Sequence, residues 1–131
     1  MAPLQPPFRC RCRHAKAAAL LGLRALYLPI RELLIASHIL PWRSHEAERL
    51  NVRNGIALNR LHDAAFDQGL ISFDDELRMI LSPKLRGVLP QQSVSHYFES
   101  CEGKALELPV DGIPPDALFL SKHRLRYKLV N

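Results

Sequence analysis

The stretch from residue 33 to residue 69 constrains the fold most, because its hydrophobic period changes within a short distance. Residues 33–37 form an apolar run that is short enough for one strand. A polar loop follows, and residues 56–58 form a second short apolar run. From Asn59 the apolar positions repeat with helical spacing as far as Gly69. The pattern therefore predicts a strand, a loop, a second strand and a helix in immediate succession.

Three short motifs mark the ends of these predicted elements: HILPW at residues 38–42, NGIAL at residues 54–58 and HDAAFDQGL at residues 62–70. Their order and spacing resemble the HNH endonuclease family, and more narrowly its branch with the motifs HI-x-PW, NG-x-x-L and H-x-x-x-FD-x-GL. The resemblance covers roughly residues 33–85. It implies an α+β fold, in which a two-stranded ribbon and a helix hold one divalent metal (the ββα-metal core). It also implies hydrolysis of phosphodiester bonds in DNA or RNA.

The resemblance assigns a role to two residues of the ribbon. His38 would deprotonate the attacking water, and Asn54 would hold the loop that orients His38. A neutral imidazole with an ordinary pKa of about 6.5 suits a general base at neutral pH. A bound cation stabilises the charge that develops on the phosphate and on the leaving oxygen. We therefore expect a metal-dependent hydrolase that cleaves DNA, and the family implies a role in restriction of foreign DNA.

The predicted helix contains the candidate metal ligands. At ~100° per residue, three apolar residues share a stripe that we expect to face the core: Leu58, Leu61 and Ala65. His62 lies at the edge of that stripe, and together with Asn59 and Asp63 it forms a patch of oxygen and nitrogen donors. Asp67 lies in the last turn, where the helix dipole disfavours an anion, so we expect either an arginine or the metal beside it. We predict His62 as the first ligand, Asp63 as the second and Asp67 as the third.

Ser37 departs from the pattern of the family. Many HNH nucleases have an acidic metal ligand immediately before the base histidine, and a serine hydroxyl is a poor ligand. Two alternatives therefore remain open: a catalytically inert module that keeps the HNH fold and binds nucleic acid, and a protein-interaction fragment. For an active site we expect one divalent ion. Oxygen-rich shells favour Mg²⁺, and histidine ligation also admits Mn²⁺, Ni²⁺ or Zn²⁺.

Basic residues provide the predicted contacts to DNA. The chain of 131 residues has a formal net charge of +5, which is compatible with a polyanionic partner and does not require one. Arg49 and Arg53 precede the second motif and are candidate phosphate contacts. Four more basic residues lie close together further along the chain: Lys122, Arg124, Arg126 and Lys128. A solvated charged surface remains the alternative for both groups.

The chain after the helix predicts an added β-hairpin. Residues 70–73 and 77–81 flank an acidic turn at residues 74–76. Turn chemistry explains Asp74 and Asp75 better than a pair of catalytic carboxylates does. We expect the hairpin to be followed by a loop.

That loop is expected to reach residue 92. A short helix is predicted over residues 94–101, with Tyr97 and Phe98 packed inward, and then a short strand over residues 103–109. The sequence Pro-Pro-Asp at residues 114–116 predicts the start of a C-terminal helix. Beyond it, alternating basic and apolar residues leave a terminal strand as a further possibility.

We expect residues 33–131 to form one HNH nuclease domain, with its core at residues 33–85. Residues 1–32 are a poorly defined basic segment rich in proline and alanine. A truncated and a naturally compact form of this segment remain alternatives. Arg24 interrupts the apolar run that resembles a signal peptide, and no apolar run reaches the ~20 residues that a membrane span needs. The three cysteines are expected to be reduced thiols of a cytoplasmic protein.

Overall fold

The computed structural model describes residues 22–23, 31–89, 91–107 and 114–129. Nearly all of the predicted segment 1–32 lies outside the described residues, as does the end of the strand that was expected up to residue 109. The described residues form an α+β structure of small antiparallel sheets and helices, which confirms the predicted fold class. Its strands are β1 (Gly22–Leu23), β2 (Leu34–His38), β3 (Gly55–Asn59), β4 (Ile71–Phe73), β5 (Met79–Leu81) and β6 (Leu106–Glu107). Its α-helices are α1 (Arg60–Asp67), α2 (Pro83–Arg86), α3 (Gln92–Tyr97) and α4 (Ala117–Arg126).

A ribbon of β2 and β3 is followed directly by α1, as the hydrophobic pattern predicted. The two strands are antiparallel, and their register extends from Leu34 opposite Asn59 to His38 opposite Gly55. Asn59 then caps α1, because its side-chain oxygen accepts a hydrogen bond from the His62 backbone at 2.8 Å. The helix ends before Gly69, whose φ of +71° is a conformation that favours glycine.

The main core lies between α1, β3 and the hairpin. Its completely buried side chains, with an exposed fraction of 0%, include Ile56, Phe66, Ile71, Phe73 and Leu120. Leu61 was expected to face the core as part of an apolar stripe, and this is wrong, because its side chain is 46% exposed. Leu58 belongs to β3, so a helical phase counted from that residue does not apply to α1. The buried residues of α1 are His62, Ala65 and Phe66.

The predicted hairpin is confirmed, since β4 and β5 pair as antiparallel strands. Asp74 serves as a turn residue: its Oδ1 accepts hydrogen bonds from the backbone of Glu76 at 2.8 Å and of Arg78 at 2.9 Å. The loop expected after the hairpin is wrong in part, because α2 begins at Pro83. Ser82 caps this helix by accepting a hydrogen bond from the Leu85 backbone at 3.2 Å.

The predicted short helix is present as α3 and a following 3₁₀ turn at Glu99–Cys101. Phe98 is buried as expected, whereas Tyr97 is 43% exposed, so the inward packing predicted for Tyr97 is wrong. Next, β6 pairs with β1 in a small antiparallel sheet.

The C-terminal helix α4 begins where the sequence predicted, with Asp116 as its cap. The alternative of a terminal strand is wrong, because α4 continues to Arg126. Helical spacing brings four of its residues to the protein interior: Phe119, Leu120, His123 and Arg124. They pack this helix against β4 and α1, directly behind the ribbon-helix unit. No helix among the described residues has the length and apolar character needed to cross a membrane.

Candidate active site

His38 lies at the end of β2, where its ring is half-buried. Burial lowers its pKa from the ordinary value of 6.5, while the backbone of Arg49 and the charge of Asp63 act in the opposite direction. A hydrogen bond that raises the pKa stabilises the protonated ring, so the Arg49 carbonyl accepts it from a ring N–H. In the neutral ring the other nitrogen is then an acceptor. His38 is therefore neutral at neutral pH and has one nitrogen able to take a proton.

Asn54 closes the loop that separates the two strands. Its side chain is 1% exposed, its Oδ1 accepts from the Leu40 backbone at 2.8 Å, and its Nδ2 donates to the Glu48 carbonyl at 3.1 Å. Its own carbonyl accepts from the Ile39 backbone at 3.0 Å. These three bonds fix both ends of the loop that contacts His38. A buried amide with both polar atoms bonded is a rigid support.

Asp63 faces the end of β2 from the first turn of α1. Burial raises its pKa; the Ser37 hydroxyl opposes this by a hydrogen bond, and the charge of Asp67 raises it further. The charges of Arg60 and His38 lower the same pKa. The structure thus brings Asp63 together with Ser37 and His38, which are distant in sequence. Ser37 stands at the position where many HNH nucleases have an acidic residue. Its hydroxyl is hydrogen-bonded to the Asp63 carboxylate, which lies beside His38, the candidate base.

Asp67 lies one turn after Asp63 and is exposed. It lines a cavity of about 510 Å³ between the loop that follows β2 and helix α4, and Lys122 and Arg126 line the same cavity. Within the part of the chain that the structure describes, Asp67 makes no ion pair within 4.0 Å. Whether an arginine or a metal neutralises Asp67 therefore stays a prediction.

His62 has a different environment from the one predicted. Its side chain is 1% exposed, its Nε2 lies 2.7 Å from the Tyr97 carbonyl, and its Nδ1 lies 3.3 Å from Nδ2 of Asn59. Nε2 therefore donates to the carbonyl, and Nδ1 accepts from the amide. Burial also lowers the pKa of His62, so the ring is neutral. Both ring nitrogens have protein partners, and Asn59 caps the helix, so the expected donor patch of Asn59, His62 and Asp63 does not form at the surface.

The predicted contacts to DNA fall into four groups. Arg124 is 9% exposed; it donates to the Phe73 carbonyl and to Asp75, both at 2.7 Å, so it supports the fold and does not face solvent. Arg53 is exposed and lies 3.8 Å from Asp116. Arg49 packs on Trp42. Three of the predicted residues are exposed side chains of the C-terminal region: Lys122, Arg126 and Lys128.

Trp42 and Arg43 are parts of the site to which the sequence reasoning gave no role. Trp42 contacts the His38 ring edge-on, with the ring centroids 5.4 Å apart, and both Trp42 and Arg43 line the cavity. The sequence did contain a signal for Trp42, namely an aromatic residue four positions after the candidate base histidine.

The donor chemistry fits a cation that keeps much of its own hydration. Among the described residues, no group of three His, Cys, Asp or Glu side chains lies close enough to hold a metal ion. Asp63 and Asp67 are neighbouring carboxylates whose mutual repulsion a cation would relieve. Mg²⁺ is commonly bound in this way, through one or two carboxylates, several waters and substrate phosphates. A closed tetrahedral zinc cage would need more protein ligands.

Comparison with models of known protein families matches residues 10–74 to a model described as HNH endonuclease. Through these residues the chain belongs to the HNH endonuclease family. The matched stretch contains the ribbon, its loop and α1, and therefore His38, Asn54 and Asp63. Nucleases of this family generally use a divalent metal and act on nucleic acid. A search of curated proteins found no match.

Proposed function

We propose that this HNH domain is an active, metal-dependent endonuclease that hydrolyses phosphodiester bonds of DNA. The observation on which the proposal depends is the proximity of His38 and Asp63 at the junction of β2 and α1. A neutral imidazole with an acceptor nitrogen and a half-buried carboxylate there provide a base and a cation ligand. Restriction of foreign DNA is the biological role that we propose for this activity.

His38 is the general base of the proposed reaction. It takes a proton from water while the water oxygen forms a bond to phosphorus and the bond from phosphorus to the 3′-oxygen breaks. Asn54 keeps the loop closed around His38 through the bonds described above. The neutral state that burial imposes on His38 is the state that this step needs.

Asp63 and Asp67 would hold the divalent cation, for which we propose Mg²⁺. When bound, the cation polarises the scissile phosphate and neutralises charge on the leaving oxygen. Ser37 orients Asp63 through its hydroxyl. His62 was predicted as a ligand from the motif; its two hydrogen bonds instead favour a supporting role, in which it joins α1 to the Tyr97 carbonyl.

DNA approaches the site over α4 in this proposal. Lys122 and Arg126 face the cavity that Asp67 also lines, and Arg43 lies on its opposite wall. Lys128 extends the same basic surface. These cations neutralise phosphates without reading the base sequence, so they contribute affinity and salt dependence. Arg53, partly neutralised by Asp116, is a weaker candidate for such a contact.

Plasmid nicking tests the proposal. Supercoiled DNA is incubated with the protein and Mg²⁺, Mn²⁺, Ni²⁺ or Zn²⁺, with a chelator as control and the His38→Ala variant in parallel. We expect nicking with a divalent ion, no nicking with the chelator, and a large loss of rate in the variant. Nicking that persists at the wild-type rate in His38→Ala would exclude the proposed base.

A second candidate function is an inert module that binds nucleic acid. Ser37 favours it, because the acidic ligand found in many HNH nucleases is replaced by a group that binds metals poorly. DNA retention that depends on salt, without nicking in any metal, would support this candidate. Absence of both nicking and DNA retention would favour a protein-interaction fragment instead.

A further inference from the structure

Arg49 is tied to the candidate base at both its backbone and its side chain. The backbone carbonyl accepts a hydrogen bond from the His38 ring. The side chain lies over the Trp42 ring, with Cζ 4.7 Å from the ring centroid, and Nε donates to the Trp42 carbonyl at 2.7 Å. Trp42 in turn contacts the edge of His38. The three residues therefore form a closed set of contacts.

This set is anchored to the buried part of the protein by Asn54. The Asn54 amide donates to the carbonyl of Glu48, which belongs to the peptide group that precedes Arg49. One end of the Arg49 backbone is thus held by a buried amide, and its side chain is held by Trp42. The Arg49 carbonyl therefore has little freedom to move away from the His38 imidazole.

The guanidinium of Arg49 is suited to this position by its planar shape and its Nε donor. A planar guanidinium can stack on an indole and donate through Nε at the same time, which a lysine ammonium cannot do. The Arg49 side chain is also only partly exposed. Stacking and the Nε hydrogen bond fix the guanidinium on the loop, so a phosphate could be contacted only by the Nη groups in that fixed orientation.

We infer that Arg49 is a positioning residue for the base: stacked on Trp42, it holds the loop carbonyl that fixes the orientation and tautomer of His38. This inference rests on the proposed function, and it replaces the phosphate contact predicted for Arg49. The base of a nucleophile–base pair is commonly oriented by a third group, and a displacement of about 1 Å can cost about 10²-fold in rate. Arg49 supplies this third group through its backbone, and its side chain keeps it in place.

The test compares Arg49→Lys and Arg49→Met with wild type. Both variants remove the stacking and the Nε bond, whereas only Arg49→Met removes the charge. We expect kcat for nicking to fall about 10- to 100-fold in both variants, with KM and the salt dependence of DNA binding unchanged. Lys84→Met, which removes an exposed basic side chain on α2, controls for loss of charge. A near-normal Arg49→Lys together with a raised KM and a salt slope reduced by about 1 in Arg49→Met would overturn the inference in favour of a phosphate contact.

Nuclear magnetic resonance of ¹⁵N-histidine tests the positioning without any cleavage. Near neutral pH, wild type should show His38 with one protonated and one unprotonated ring nitrogen, the signal being assigned with a His38→Gln sample. Both Arg49 variants should shift His38 towards a mixture of tautomers and leave His62 and His123 unchanged as internal controls. An unchanged His38 spectrum would overturn the inference, and so would equal changes at all three histidines, which indicate a general loss of structure. If wild type does not nick DNA, the nuclease proposal fails while this spectrum still decides the role of Arg49.

Discussion

The buried ring of His123 makes the protein sensitive to acid. Its side chain is 4% exposed and stacks on Phe66 with a centroid separation of 3.8 Å. Nε2 lies 2.8 Å from the Phe66 carbonyl and Nδ1 lies 2.8 Å from the Ser72 hydroxyl, so the neutral ring donates at one nitrogen and accepts at the other. Burial lowers the pKa of His123 from 6.5 to about 4; the Phe66 carbonyl opposes this, and the charges of Arg126 and Arg124 lower the pKa further. We predict that protonation of this ring destabilises the fold.

The size of the effect follows from the difference between the two pKa values. The folded pKa is the lower one, so the unfolded chain takes up a proton first as the pH falls. The stabilising effect of the neutral ring is complete above the unfolded pKa of 6.5 and is lost progressively towards the folded pKa of about 4. The complete loss is about 3 kcal/mol, since each pKa unit corresponds to about 1.36 kcal/mol. Near pH 5 the loss is about 2 kcal/mol.

Urea unfolding of wild type and His123→Gln measures this effect. Glutamine can donate to the Phe66 carbonyl and accept from Ser72, and it does not titrate. Between about pH 7.5 and about pH 5, the free energy of unfolding of wild type should fall by about 2 kcal/mol more than that of the variant. All other ionisable groups are the same in both proteins, so their contributions cancel in the comparison. Equal pH dependence of the two proteins would show that His123 is not held neutral by the fold.

Three further predictions concern the proposed reaction. His38→Ala should lower the nicking rate by about 10²–10⁴-fold, and the acid limb of the wild-type pH–rate profile should fall below 6.5, because burial lowers the pKa of the base. An acid limb above that value would contradict the neutral, half-buried ring. Asp63→Asn should weaken binding of Mg²⁺ in calorimetry, while unchanged affinity would exclude Asp63 as a ligand. Lys122→Gln combined with Arg126→Gln should reduce the salt slope of DNA binding by about 2, and an unchanged slope would place the DNA elsewhere.

The order of elements could be predicted from the sequence because local signals determine it. The apolar runs, the polar loop between them and the glycine at position 69 specify the ribbon and α1 without reference to the rest of the chain. The same holds for the hairpin, whose turn is built by Asp74, and for the start of α4 at Asp116. Family resemblance correctly identified the stretch that contains His38.

The environments of individual side chains could not be predicted from the local pattern, because they depend on partners far away in sequence. The His62 ring donates a hydrogen bond to the carbonyl of Tyr97, 35 residues later. Arg124 donates to the carbonyl of Phe73, 51 residues earlier. Neither partner has a signal in the local pattern. The exposed Leu61 has a different cause: the helical phase was counted from a residue that belongs to the preceding strand. Helix α2 was not predicted, because its four residues are too few for a hydrophobic period to be recognised.

The docking of α4 behind α1 has a consequence for the order of events during synthesis. The helix with Asp63 and Asp67 depends on His123, whose ring bonds the Phe66 carbonyl from 57 residues further along the chain. At about 5–20 residues per second, a ribosome adds that many residues in about 3–11 s. For that interval the nascent ribbon and α1 lack the element that packs behind them, and their core face remains uncovered. A ribosome stalled within this interval would therefore display an HNH segment whose base and ligands have been synthesised and whose supporting helix has not.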